Sequence, residues 1–118
     1  MKINFDNIVS AADQKYDKLE LDIPNPDGSR EHVVFGNPAR LPKEKRDEFR
    51  LAVEQMGEDT DDSDEASARI KRLLNAVIIE GTTDKLFEII GDDQALLSEV
   101  LTSYFEALKV GEASPSQN

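Results

Sequence analysis

Six of the eight residues from Glu58 to Glu65 are acidic, and a run of that kind is the first place to look for calcium chemistry. An EF-hand loop needs oxygen donors at alternate positions, glycine at the sixth and a bidentate glutamate at the twelfth. Counted from Asp59, Asp61 and Ser63 fit, but the sixth position is Asp64 and the twelfth is Ile70. Counted from Asp62, the twelfth is Leu73. Neither register supplies the closing carboxylate. The run reads as a solvated, mobile surface loop whose last acids favour a helix N-terminus. No metal and no cofactor are expected.

Covalent and acid–base chemistry find no better footing. His32 is the only histidine, and it falls inside an extended run beside Val33, where a part-exposed sheet position explains it. Ser63 and Ser98 lack the base or the glycine elbow that would activate a hydroxyl. The chain has no cysteine, which removes disulfides, thiol catalysis and thiolate metal sites. Close carboxylate pairs arise by chance in so acidic a chain and do not mark a general acid and base. The six glycines are scattered at turns and helix ends, so none builds a phosphate cradle. The expectation is a protein that is not an enzyme.

Charge narrows the partners. With 25 acids against 14 bases, the net charge is -11, which disfavours contact with nucleic-acid phosphates and with an anionic membrane surface. The one basic cluster, Arg40, Lys43, Lys45, Arg46 and Arg50, is interleaved with Glu44, Asp47 and Glu48 and reads as a salt-bridged helix exterior. No apolar run approaches the ~18 residues of a membrane span, and the first residues do not read as a signal peptide. A cytosolic protein is expected, with no nucleic-acid and no membrane partner.

These residues must be carried on some scaffold, and the periodicity supplies it. Ile3, Phe5, Ile8, Val9, Ala12 and Tyr16 recur at helical spacing, which predicts a short leading helix. From Lys18 the period drops to two: Leu19, Leu21 and Ile23 alternate with Lys18, Glu20 and Asp22. Pro24 to Gly28 is dense in turn residues, and a second extended run, Arg30 to Phe35, completes a β-hairpin. Pro42 suits the first position of a helix with Phe49, Ala52, Val53 and Met56 on its apolar face, closed by Gly57. A third helix is predicted from about Ser63 to Glu80, capped by Asp62 or Ser63, with Ala66, Ile70, Leu73, Leu74, Val77 and Ile78 inward. Gly81 ends it. Thr82 or Thr83 opens a short helix through Leu86, Phe87 and Ile90 that stops at Gly91.

Asp92 is the expected cap of the last helix, Asp93 to Val110. Leu97, Val100, Leu101, Tyr104, Phe105 and Leu108 form its long apolar stripe, and Gly111 is expected to end it. The predicted fold class is α+β and mostly helical: an N-terminal β-hairpin packed against a C-terminal bundle of about four helices. One domain is expected over residues 1–110, with 1–36 the N-terminal segment and hairpin, 42–110 the helical part and 57–65 the acidic loop. A disordered polar tail is expected at 111–118.

The order of these features carries a resemblance. An extended hairpin is followed by Asn-Pro-Ala-Arg-Leu-Pro-Lys-Glu-Lys-Arg at 37–46, which enters a helix. After the acidic loop come Phe-Glu-Ile-Ile-Gly-Asp-Asp-Gln-Ala-Leu-Leu at 87–97 and Val-Gly-Glu-Ala-Ser-Pro-Ser at 110–116. In this order they resemble the tail assembly chaperones of long-tailed bacteriophages, particularly the small acidic type from phages of actinobacteria. The similarity spans nearly the whole chain.

That resemblance implies a partner, the tape measure protein, a long helical chain that sets tail length. The chaperone keeps it soluble until tail tube subunits polymerise around it, and is absent from the mature virion. It implies action in the host cell cytoplasm. It also implies a second, longer product of a programmed ribosomal frameshift, through which the tail tube protein would be recruited.

The surface expected to meet the client is Leu86, Phe87, Ile90, Leu97, Val100, Leu101, Tyr104, Phe105 and Leu108. A homo-oligomer is left open, as is the division of this stripe between core and client. Two other readings compete: an acidic DNA mimic that inhibits a host nucleic-acid-binding enzyme, and a minor structural subunit of the virion. The mimic needs carboxylates in a duplex-like array, whereas these concentrate in one loop and at helix caps.

Overall fold

The alternation after Lys18 becomes a sheet, and the three-and-four spacing after Leu41 becomes a helical bundle, in the computed structural model, which describes residues 1–113 and side chains as far as Leu108. The fold is α+β and mostly helical. Helix α1, Phe5–Lys15, leads into strands β1, Leu19–Pro24, and β2, Arg30–Phe35. A 3-10 turn at Pro38–Arg40 delivers the chain to α2, Lys43–Met56. Then follow α3, Ser63–Val77, the short strand β3, Ile78–Glu80, α4, Thr83–Ile90, and α5, Gln94–Ala113.

The hairpin pairs in the register that the alternation demands, with Leu19 opposite Phe35, Leu21 opposite Val33 and Ile23 opposite Glu31. One sheet face therefore presents Leu19, Leu21, Ile23, Val33 and Phe35 together, and all five join the core. Antiparallel β3 adds to the free edge of β2, through Val34–Glu80 and Phe35–Ile78, with a bulge between them. This third strand corrects the expected helix over 63–80, which ends three residues early. Val77, Ile78 and Ile79 continue the apolar run and read as helix by period alone. Their β-branched side chains also suit an extended backbone, and β2 offers the ladder. The Gly36 amide closes the junction by donating to the Val77 carbonyl at 2.7 Å.

Helix ends follow their caps. The Asp62 carboxylate accepts from the amides of Asp64 at 2.9 Å and Glu65 at 3.3 Å, so Ser63, Asp64 and Glu65 belong to α3 rather than to a loop. Thr82 caps α4 by accepting from the Asp84 amide. At α5 the cap is Asp93 rather than Asp92: its carboxylate accepts from the Leu96 amide at 3.0 Å. Pro42 lies one residue outside α2, at its N-cap. Gly111 does not stop α5, which runs to Ala113. The rest of the expected tail, 114–118, lies outside the described residues.

The core lies between the sheet and the bundle. Leu73, Leu74 and Val77 of α3, Ala52 of α2, Leu86 and Ile90 of α4, and Leu97 and Tyr104 of α5 form one cluster with Leu41 and the sheet's inner face. Helix α1 contributes no buried residue.

Candidate partner-binding surface

The nine residues of the expected client surface divide in two. Leu86, Ile90, Leu97 and Tyr104 are buried and belong to the core cluster. Helix α3 and strand β1 pack against α5, and α4 packs against α5. Phe87, Val100, Leu101, Phe105 and Leu108 pack against the core but are only partly covered. They form a rim.

Tyr104 shows how tightly the inner part of the stripe is used. Its ring meets Phe35 edge-on at 6.3 Å and lies 5.6 Å from Phe105. Its hydroxyl donates to the Gly36 carbonyl at 2.7 Å, tying α5 to the end of β2. Burial pushes the phenol far above its ordinary value, so it remains a proton donor throughout the neutral range. A buried hydroxyl with a fixed acceptor is a structural clasp.

The apolar surface that remains open lies beside this stripe. Ile89 of α4 is 46% exposed and Leu96 of α5 is 42% exposed. Leu96 and Val100 are four residues apart, one turn along α5, and so share an edge of the helix. On the other side of α4, the Phe87 ring carries the Lys71 ammonium 5.4 Å above its face. Exposed apolar side chains also occur on α1, at Phe5, Ile8 and Val9, and just before it at Ile3. Its signal was the same helical spacing, and no residue of α1 is buried.

The polar candidates take ordinary places. His32 stands on the exposed sheet face with its ring nitrogens 3.4 Å from carboxylates of Glu20 and Asp22, its neighbours on β1. The basic cluster is salt-bridged: Lys43 and Arg50 both reach Asp47, Lys45 reaches Glu48, and Arg40 reaches back to Asp13 of α1 at 2.9 Å. Hydrogen bonding to Lys43 holds the Asp47 carboxyl below the usual carboxylate value. In the acidic segment Arg69 donates to the Glu58 carbonyl at 2.7 Å, and Thr60 accepts from the Asp62 amide. Among the described residues no cluster of three metal-ligating side chains forms, and no helix is long and apolar enough to cross a membrane.

Compared with family models, with curated proteins and with solved structures, the chain finds no match in any of the three.

Proposed function

We propose that this chain is a tail assembly chaperone of a long-tailed bacteriophage, which binds the tape measure protein stoichiometrically and holds it soluble in the host cytoplasm. The observation that carries the reading is the rim of α4 and α5. Ile89 and Leu96 are exposed, and Phe87, Val100, Leu101, Phe105 and Leu108 are partly covered, on helices whose inner residues already complete the core. A domain needs the inner row to fold. The outer row packs on that core and still leaves apolar surface open to a partner.

An amphipathic client helix aggregates through its own apolar stripe unless something covers it. Laying that stripe along the α4–α5 rim is helix-in-groove recognition, with anchors at spacings of three and four. Each contact is small and weak, which suits a chaperone that tube subunits must later displace. Many copies along one client add up through multivalency, and the surplus negative charge keeps the decorated client dispersed. The order of motifs from 37 to 116 supports the same assignment. Recruitment of the tail tube protein through a frameshifted product, and absence from the finished virion, belong to this proposal.

Co-expression with a tape-measure-like helical protein tests it. Soluble client is expected only when the chain is present, and Leu96→Asp with Ile89→Asp should remove that effect without unfolding the domain. Equal client solubility with and without the chain would reject the reading.

A further inference from the structure

We propose that the helix covering the α4–α5 rim is a cationic one, with lysine or arginine beside its apolar stripe. The inference rests on the client reading of that rim and adds the chemistry that selects the client. Apolar side chains alone would accept any amphipathic helix. What stands beside Ile89 and Leu96 narrows the choice.

Pairing of charge divides this chain in two. Every ion pair among the described residues lies within residues 13–72. There Asp47 takes Lys43 and Arg50, Glu48 takes Lys45, and Glu65 takes Arg69 and Arg72. From Leu73 to Leu108 the chain holds seven acids and a single base, Lys85. One more cation touches α4, since Lys71 of α3 lies 5.4 Å over the Phe87 ring. Acids remain in clear excess.

Three of the seven belong to the rim itself. Glu88 precedes Ile89 in α4, Asp92 lies in the turn between α4 and α5, and Glu99 follows Leu96 by three residues on α5. All three are exposed. None caps a helix, because the cap of α5 is the neighbouring Asp93 and that of α4 is Thr82. The fold pairs their counterparts on α2 and α3 and puts these three to no use.

That arrangement sorts amphipathic helices by the charge beside their stripes. Carboxylates laid against Glu88, Asp92 and Glu99 meet like charge, and an acidic client would be drawn instead to the basic stretch from Arg40 to Arg50, on other elements. A neutral client gains the apolar contact alone. A client with lysine or arginine beside its stripe gains that contact and opposite charge together. Each exposed pair adds little, so the preference comes from several in register.

Fluorescence anisotropy of the full chain with three designed helical peptides tests it. The peptides share one leucine stripe and carry lysine, glutamine or glutamate beside it. At about 50 mM salt the lysine peptide should bind about tenfold more tightly than the glutamine peptide, and the glutamate peptide more weakly than both. The differences should shrink as salt rises to about 500 mM. Glu88→Gln with Asp92→Asn and Glu99→Gln should bring the lysine peptide down to the affinity of the glutamine peptide. Glu54→Gln with Asp59→Asn and Asp61→Asn changes net charge equally but away from the rim, and should keep the preference within about twofold. Equal affinities for all three peptides, or a preference lost alike in both triple variants, would overturn the inference. If the affinities are equal and Leu96→Ser with Ile89→Ser abolishes them, the rim still takes a helix and only its charge selection is wrong. Binding of no peptide, or lysine-peptide binding that survives Leu96→Ser with Ile89→Ser, rejects the rim and this inference with it.

Discussion

The hydroxyl of Tyr104 on α5 donates to the carbonyl of Gly36, the residue that leaves β2, at 2.7 Å. The same Gly36 donates its amide to Val77, where α3 becomes β3. Three elements thus meet at one glycine, and a side chain there would crowd its neighbours: a Cβ on Gly36 would lie 3.0 Å from Ile79 and 3.2 Å from Leu41. The bulkiest residue of the apolar stripe is the fastener between sheet and bundle.

Tyr104→Phe keeps the ring packing and removes only the donor, leaving the Gly36 carbonyl buried and unpaired. The expected loss is about 1–3 kcal/mol, read as a lower urea midpoint with an unchanged slope. Tyr104→Ala removes the ring as well and should cost about 3–5 kcal/mol. If Tyr104→Phe matched the parent, the bond would be geometrically present but energetically idle.

The same phenol makes stability depend on alkaline pH. Burial raises its folded-state pKa above the ordinary 10.0. A group whose folded pKa is raised stabilises the fold fully below its unfolded pKa, and that contribution declines as pH climbs past about 10. Absorbance near 295 nm should show the Tyr104 phenol ionising only above its ordinary range, with loss of structure. Tyr104→Phe should remove this alkaline sensitivity.

Asp47 gives the opposite sign at the surface. Its carboxyl is held below the ordinary 3.8, first by the hydrogen bond from Lys43 and then by the charges of Lys43 and Arg50. A depressed pKa contributes stability above the unfolded value and loses it as pH falls through the folded one. Carboxyl NMR titration should find Asp47 with a midpoint below 3.8, returning towards that value in Lys43→Ala.

Gly81 and Gly28 separate two costs of the same backbone conformation. Their φ values are 80° and 89°. A Cβ at Gly28 meets nothing within 4 Å, whereas one at Gly81 would lie 2.5 Å from the His32 carbonyl. Gly28→Ala should cost about 1–2 kcal/mol of conformational strain alone. Gly81→Ala adds a backbone collision at the β2–β3 ladder and should cost about 3 kcal/mol or more. Equal effects at the two sites would mean that β3 yields.

Local signals made much of this fold readable. The alternation from Leu19 to Ile23 and the turn chemistry from Pro24 to Gly28 name both the hairpin and its inward face. Asp62 and Thr82 announce their helices because a cap is a contact within three residues. What sequence could not separate were outcomes decided at a distance. Ile78 and Ile79 extend the helical run of α3 equally well until the edge of β2 is there to pair with them. The α5 stripe has the periodicity of a core helix and of a docking helix alike, and only the position of the sheet shows that Leu97 and Tyr104 are inside while Leu96 is not. Gly111 carries little terminating force without the local bonds that end a helix. The apolar face of α1 was equally visible, but nothing in its spacing showed that it would stay uncovered.

The division of α5 into an inner and an outer row gives a paired test in which folding and binding must respond differently. Leu97→Asp places a charge in the buried core cluster, and should unfold the domain or lower its stability by several kcal/mol. Leu96→Asp, one residue away, points a carboxylate into water and should leave the unfolding midpoint within about 0.5 kcal/mol of the parent. If the rim holds a client helix, the second variant is folded yet unable to keep that client soluble. A folded Leu96→Asp and Ile89→Asp double variant that still solubilises the client fully would place the contact away from α4 and α5. Circular dichroism and co-expression yield, measured on the same variants, distinguish the two rows.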